Sequence, residues 1–225
     1  MRIYVVPDIH GSLEELKTAM SLVPQEDLQS EGVKLIFLGD YIHGGENSIG
    51  VVDYIMNLQE EFGRHKVIAL LGNHEEFVLK GYSSLEEITP TAPYEIDDKY
   101  IDWLQSLPRL YQESNTIFVH AGIDESLGRN WEYTDDYTLT SKYPAVTGKI
   151  EGLELKVVAG HVYTSEIANN DGFSDIYYDG FNHYYLDGNV IKNKKLNVML
   201  VETSEGNDNY YEVILDGNIL ISEYF

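Results

Sequence analysis

Residues 2–11 read RIYVVPDIHG, a β-rich apolar run that stops at an acid, Asp8, with His10 and Gly11 close behind. Apolar residues that follow one another without alternation describe a strand buried on both faces. Directly after it, Leu13, Leu16, Ala19, Met20 and Val23 fall at helical spacing within residues 12–23, and Ser12 with Glu15 has the pattern of a capping box. Strand, polar loop and helix therefore follow in order, and the order recurs downstream. VKLIFLGD (33–40) leads into SIGVVDYIMNLQEEF (48–62), a helix that Asn47 or Ser48 caps and Gly63 ends. KVIALLGN (66–73) leads into HEEFVLKG, and TIFVHAG (116–122) and LKVVAGH (155–161) read as further strands.

Each of the five runs ends in a polar cluster: PDIHG, GDYIHGG, GNHEE, HAG and GH. In layered α/β folds ligand sites lie beyond the carboxyl ends of the strands, which is where all five fall. Asp8 and His10 are two apart, so an extended backbone turns both side chains to one side. Asp40 can bridge two metals through its two oxygens. Asn73, His120 and His161 add neutral ligands, giving a mixed oxygen and nitrogen set suited to Mn, Fe, Zn or Mg rather than copper. Gly11, Gly39, Gly72, Gly122 and Gly160 flank these residues and let the backbone turn tightly or approach a bound group.

The chain has 225 residues, 43% of them apolar, which describes a globular protein. No apolar run nears the roughly 20 residues that span a bilayer. The N-terminus reaches Asp8 too soon for a signal peptide, so the expected compartment is the cytoplasm. There is no cysteine, which removes disulfides and thiolate ligands. With 15 basic and 38 acidic residues the net charge is −23. Such a charge repels nucleic acid and anionic membranes, so neither is an expected partner, and any phosphate chemistry needs a local cationic centre.

One domain over residues 1–225 is the simplest organisation, with less regular segments at 82–113 and 123–150 covering the site. HYYLDGNV, KLNVMLVE, NYYEVIL and NILISEYF toward the C-terminus read as short strands. Asp187-Gly188 and Asp216-Gly217 are hairpin signals there, and an antiparallel extension of the sheet is expected.

The succession DIHG, GD, GNHE, HAG and GH resembles the calcineurin-like metallophosphoesterases, in the branch of serine/threonine protein phosphatases and symmetrical diadenosine tetraphosphatases. The resemblance runs from Ile3 to about Asp187. It implies an αββα sandwich, two central mixed β-sheets flanked by helices, with the site at the carboxyl ends of the strands. It also implies two divalent metal ions, manganese first, with iron, zinc, magnesium, nickel or cobalt as further candidates. Asp8, His10 and Asp40 would hold one ion, and Asp40, Asn73, His120 and His161 the other, with the pair activating a water for in-line attack on phosphorus. His74 would be the general acid and, with Asn73, would contact substrate; Glu75 would orient the loop.

The second motif departs from the family pattern GDxxDRG. Residues 39–45 read GDYIHGG, so His43 stands where an Asp would orient the general acid, and Gly44 where an Arg would grip phosphate. A protonated His43, its pKa raised by surrounding acids, is one way to replace part of the lost charge and bind substrate; a plain loop residue is the other reading. For the second phosphate-binding Arg, Arg129 and Lys142 are the plausible cations. Pro7 before Asp8 is tolerable at a strand end, and Asp187 is either a support to the site or part of a hairpin. The 18 tyrosines read as core and strand packing, with a nucleobase wall as the alternative.

The expected function is hydrolysis of a phosphorylated small molecule, nucleotide or phosphoprotein. A phosphodiesterase with the same centre, or a silent binding relative, are the alternatives.

Overall fold

The computed structural model describes residues 1–86, 96–204, 207–214 and 217–220. The first half runs β1 (Arg2–Val6), α1 (Leu13–Met20), α2 (Gln25–Leu28), β2 (Val33–Phe37), α3 (Ser48–Phe62), β3 (Val67–Ala69), α4 (Asn73–Leu79) and α5 (Asp98–Gln105). Next come β4 (Leu110–Glu113), β5 (Thr116–Val119), a 3-10 segment over Glu125–Tyr133, α6 (Asp136–Ser141), β6 (Lys156–Ala159) and α7 (Thr164–Ile167). The chain continues with β7 (Tyr177–Tyr178), β8 (His183–Tyr185), α8 (Val190–Asn193), β9 (Met199–Ser204), β10 (Asn207–Ile214) and β11 (Gly217–Leu220).

Two mixed sheets result. The first has the order β11-β10-β9-β1-β2-β3, the second β4-β5-β6-β8-β7. In the first, β1, β2 and β3 are parallel, and β9, β10 and β11 extend it antiparallel. In the second, β5, β6 and β8 are parallel, with β4 and β7 antiparallel at the edges.

The apolar runs explain the layering. Alternate residues of β1 face opposite ways, Ile3 and Val5 into one core and Tyr4 and Val6 into another. The inner core lies between the sheets, where Ile36, Leu38 and Ile68 of the first sheet's side meet Phe118, Val158 and Tyr184 of the second. Tyr178, Tyr184 and Tyr210 stack in this layer at 4.2 and 4.4 Å. These tyrosines are core packing, as expected. The outer face of the first sheet packs on α1, α3 and α5 through Leu16, Val52, Ile55 and Trp103. The outer face of the second packs on Trp131, Leu139 and Ile150.

Several local expectations need correction. Ser12 makes no side-chain cap bond, so the capping box with Glu15 does not form. Asn47 does cap α3, accepting from the Gly50 amide, and Gly63 ends it at φ 89°. The strand in HYYLDGNV lies in the second sheet, parallel to β6, and not in the antiparallel extension. Asp187-Gly188 makes no hairpin: the chain passes there into α8, and the buried Asp187 Oδ1 accepts from the Asn189 amide at 2.8 Å. Asp216 lies outside the described residues, as do 87–95 of the first cover segment; the rest of that segment contains α5 and β4. Among the described residues no helix is long and apolar enough to cross a membrane.

Candidate metal centre

The polar clusters that follow β1, β2, β3, β5 and β6 converge at one edge of the two sheets. Two groups of potential ligand atoms, each within 4.8 Å, form there: His10 with Asp40 and His74, and Asp40 with His120 and His161. Asp40 belongs to both. Its Oδ1 lies 3.4 Å from His120 Nε2, and its Oδ2 lies 3.9 Å from His10 Nε2 and 3.8 Å from His74 Nε2. One carboxylate thus presents an oxygen to each group, the arrangement that bridging requires.

Unusual backbone brings the side chains inward. His10, Asp40 and His161 have φ of 49°, 51° and 66°, a region that costs L-residues on the order of 1–3 kcal/mol each. His10 therefore reaches the centre from a left-handed turn, not from the extended strand expected from its spacing to Asp8. Two glycines are fixed by close approach. A Cβ on Gly72 would stand 2.2 Å from Asp40 Oδ1, and one on Gly160 2.0 Å from Asp8 Oδ1. Glu75, fully buried, holds the second loop: its carboxylate accepts from the amides of Asp40 and Tyr41 at 2.8 Å and of Gly72 at 3.0 Å.

Ring tautomers follow from the hydrogen bonds. His10 Nδ1 lies 3.2 Å from the Ile42 carbonyl and His120 Nδ1 3.1 Å from the Leu38 carbonyl. A carbonyl only accepts, so each Nδ1 carries the proton and each Nε2 lone pair faces the centre. This is how ligating histidines are usually held. With the ring neutral, His120 Nε2 would face Asn73 Oδ1 at 3.0 Å as two acceptors, a contact that a cation would relieve. Asp8 stands behind, 1% exposed, both oxygens accepting from the His161 amide at 3.1 and 3.0 Å.

The electrostatics agree. Burial alone would raise the Asp40 carboxyl, but His120, His74 and His10 hold it far below the usual carboxylate range. Burial disfavours a charged His120, yet Asp40 and Asp8 push it up to about 10. The donor set, three imidazoles, two carboxylates and one amide oxygen, fits divalent ions of intermediate hardness.

The centre opens on a cleft of about 260 Å³ whose walls include His10, His74, His161, Gly44, Tyr163 and Ile191. Among the described residues no Lys or Arg lines it. Ile191 packs where a side chain at position 44 would point, 3.4 Å from an added Cβ. Neither candidate cation reaches the cleft. Arg129 is exposed elsewhere, and Lys142 is tied to Glu125 and to the Ile123 carbonyl.

His43 corrects a further expectation. It is 1% exposed, its Nε2 2.7 Å from the Ser84 carbonyl and its Nδ1 2.9 Å from His74 Nδ1. Burial pushes its pKa down, opposite to the rise expected from surrounding acids. Sequence reasoning underrated Asp187, whose Oδ2 is buried and unpartnered and whose carboxyl burial and Asp8 push well above the usual range. Tyr163 and Ile191 carried no signal beyond closeness to GH and DG.

The sequence model of the calcineurin-like phosphoesterase family matches residues 1–201. The symmetrical bis(5'-nucleosyl)-tetraphosphatase of Yersinia enterocolitica is 31% identical over 131 residues, which are 55% of this chain and 42% of that protein. The match thus spans less than half of that relative's length. The cold-active protein-tyrosine phosphatase of a Shewanella species superposes with TM-score 0.70 at 17% identity, over 98% of this chain and 80% of that one. A protein serine/threonine phosphatase from Saccharomyces cerevisiae superposes with TM-score 0.62 at 13% identity, over 98% and 78%.

Proposed function

The chain belongs to the calcineurin-like phosphoesterase family, and from that premise we propose that it hydrolyses phosphate esters with two divalent cations held by Asp8, His10, Asp40, Asn73, His120 and His161. The observation that carries this reading is the Asp40 carboxylate, one oxygen in each ligand group, with His10 and His120 locked so that their Nε2 lone pairs face it.

When bound there, two such ions lower the pKa of a shared water and neutralise charge on the phosphoryl oxygens. The chain's own residues do the rest. Glu75 fixes the loop that carries Asp40, and the 3.0 Å bond from the His74 amide to Asp40 Oδ1 joins α4 to it. Asn73 and His74, at the first turn of α4, line the cleft, where they would contact a phosphoryl group. The expected substrates are phosphorylated small molecules, nucleotides or phosphoproteins, with manganese the first ion to try.

A second reading, a phosphodiesterase, is favoured by one observation: among the described residues no guanidinium or ammonium lines the cleft to hold the outer oxygens of a terminal phosphate, while Tyr163 and Ile191 offer a partly apolar wall. Comparing p-nitrophenyl phosphate with its bis ester in Mn, with an Asp40→Asn control, tests both. Faster turnover of the monoester supports a phosphatase, faster turnover of the bis ester a phosphodiesterase. Hydrolysis of neither, or hydrolysis undiminished by Asp40→Asn, overturns the proposal.

A further inference from the structure

Apart from the proposed metal ligands, His43 and His74, the lining of the cleft comes down to Gly44, Tyr163 and Ile191. What a substrate carries beyond phosphorus therefore meets an aromatic ring and an aliphatic side chain. Tyr163, two residues after His161, is left 38% exposed on this wall. A side chain at position 44 would begin in contact with Ile191, its Cβ 3.4 Å from Ile191 Cδ1 and 3.7 Å from His10 Cβ. The glycine thus leaves that end of Ile191 bare, directly beside a proposed ligand. Both parts of the wall are tied to one residue. The Asp187 carbonyl accepts from the amide of Thr164, next to Tyr163, at 2.8 Å, and Asp187 Oδ1 accepts from the amide of Asn189, two before Ile191, at 2.8 Å. Each part is also fixed at its own end. The Tyr163 carbonyl accepts from the amides of Glu166 and Ile167 at 2.9 and 3.2 Å, and Asn189 Oδ1 accepts from the Lys192 amide at 3.1 Å. Backbone held in this way has little freedom to lose when a ligand lies against it.

We infer that Tyr163 and Ile191 are specificity-determining residues that bind a flat aromatic ring joined directly to the phosphoryl group, so that the site takes aryl phosphates in preference to phosphates of small or saturated groups. The inference rests on the phosphoesterase reading and narrows its substrate class. Nearness to the centre selects the ring's position. Tyr163 follows His161 by two residues, and Ile191 and the His10 Cβ flank one point, so the group they touch is the one attached at phosphorus. A nucleobase, set off from phosphorus by a ribose, would extend past them. Chemistry selects the ring itself. An aromatic pair in stacked or edge-to-face contact gains more than the apolar area it buries, which a saturated ring against Tyr163 does not. In a chain of net charge −23, with no Lys or Arg lining the cleft among the described residues, this apolar contact is the means left to hold that group.

Binding of phosphonates tests this without turnover, since their P–C bond is not an ester bond. Dissociation constants of methyl-, cyclohexyl- and phenylphosphonate and of an adenosine 5'-phosphonate are measured by calorimetry on the Mn-loaded protein. Phenylphosphonate is expected to bind about tenfold more tightly than methylphosphonate, the scale of one ring-stacking contact, and more tightly than cyclohexylphosphonate. That phenyl-to-methyl ratio is expected to persist in Tyr163→Phe, to fall in Ile191→Ala and to approach one in Tyr163→Ala. A wild-type ratio near one, cyclohexylphosphonate bound as tightly as phenylphosphonate, or no phosphonate bound at all overturns the inference. So does a ratio unmoved in a Tyr163→Ala variant whose melting curve shows it folded. An adenosine phosphonate that outbinds phenylphosphonate by a margin Tyr163→Ala removes puts a nucleobase on the wall and also overturns it. The two readings fail separately. If the ratio and its variants behave as expected while no ester is hydrolysed, the phosphoesterase reading falls and the aromatic subsite stands; if esters are hydrolysed and the ratio is near one, the subsite falls alone.

Discussion

At the scale of single residues, the centre is built by contacts with no room to spare. A methyl on Gly72 or Gly160 would fall within 2.2 Å of a carboxylate oxygen of Asp40 or Asp8. Gly72→Ala and Gly160→Ala are therefore expected to bind fewer than two ions per chain after Mn loading and to lose about 1–3 kcal/mol by overpacking. Elemental analysis and urea melts check this, and full metal content in either variant would contradict it. The proposed ligands could be picked out in the sequence, because acids and histidines after apolar runs are few and fall in order. His43 could not be read in this way. Its two partners are a carbonyl 41 positions away and a ring 31 positions away, so only the fold shows that both of its ring nitrogens are engaged. Asp187 was misread because Asp-Gly marks turns in general, and nothing local tells a turn from a buried carboxylate behind Asp8.

Elements position these residues, and their own interactions make separate predictions. Phe118 on β5 is fully buried between the sheets, so Phe118→Ala is expected to cost about 3–5 kcal/mol. A loss below 1 kcal/mol by denaturant unfolding would argue against a shared inter-sheet core. His183 on β8 lies apart from the centre, 2.6 Å from Asp179 and 3.4 Å from Glu125. Burial opposes its charge, but both carboxylates raise its pKa above the ordinary 6.5, while both of theirs are lowered. A raised His contributes stability that is complete below about pH 6.5 and is lost as pH rises through its folded value; the two acids contribute above their ordinary range and lose it as pH falls. The melting temperature of the wild type is thus expected to decline above pH 6.5 more steeply than that of His183→Gln. Parallel declines would show that this network does not titrate as described. The sequence located strands and helices well, since their periods are local. The resemblance implied two mixed sheets, as found, but the residue patterns did not say which strand joins which sheet, because strands of either sheet are buried on both faces and look alike.

For the whole molecule, the net charge is −23, and among the described residues the two clusters that could hold a metal ion both lie at the centre. Self-repulsion of that size destabilises the compact state and is screened over about 30 Å at 0.01 M salt but only about 10 Å at 0.1 M. The metal-free protein is therefore expected to melt at a higher temperature in 0.1 M than in 0.01 M sodium chloride; a fall would mean that favourable ion pairs outweigh repulsion. On the proposed reading, the same charge would disfavour a phosphorylated substrate unless metal ions offset it locally. The central claim is that Asp40 bridges two cations that carry out ester hydrolysis, and metal content per chain measured beside p-nitrophenyl phosphate and bis ester turnover tests it most directly. Two Mn ions in the wild type, with at most one and no turnover in Asp40→Asn, is the predicted result. A wild type that holds no metal after loading, or an Asp40→Asn variant that retains two ions and full activity, would contradict it.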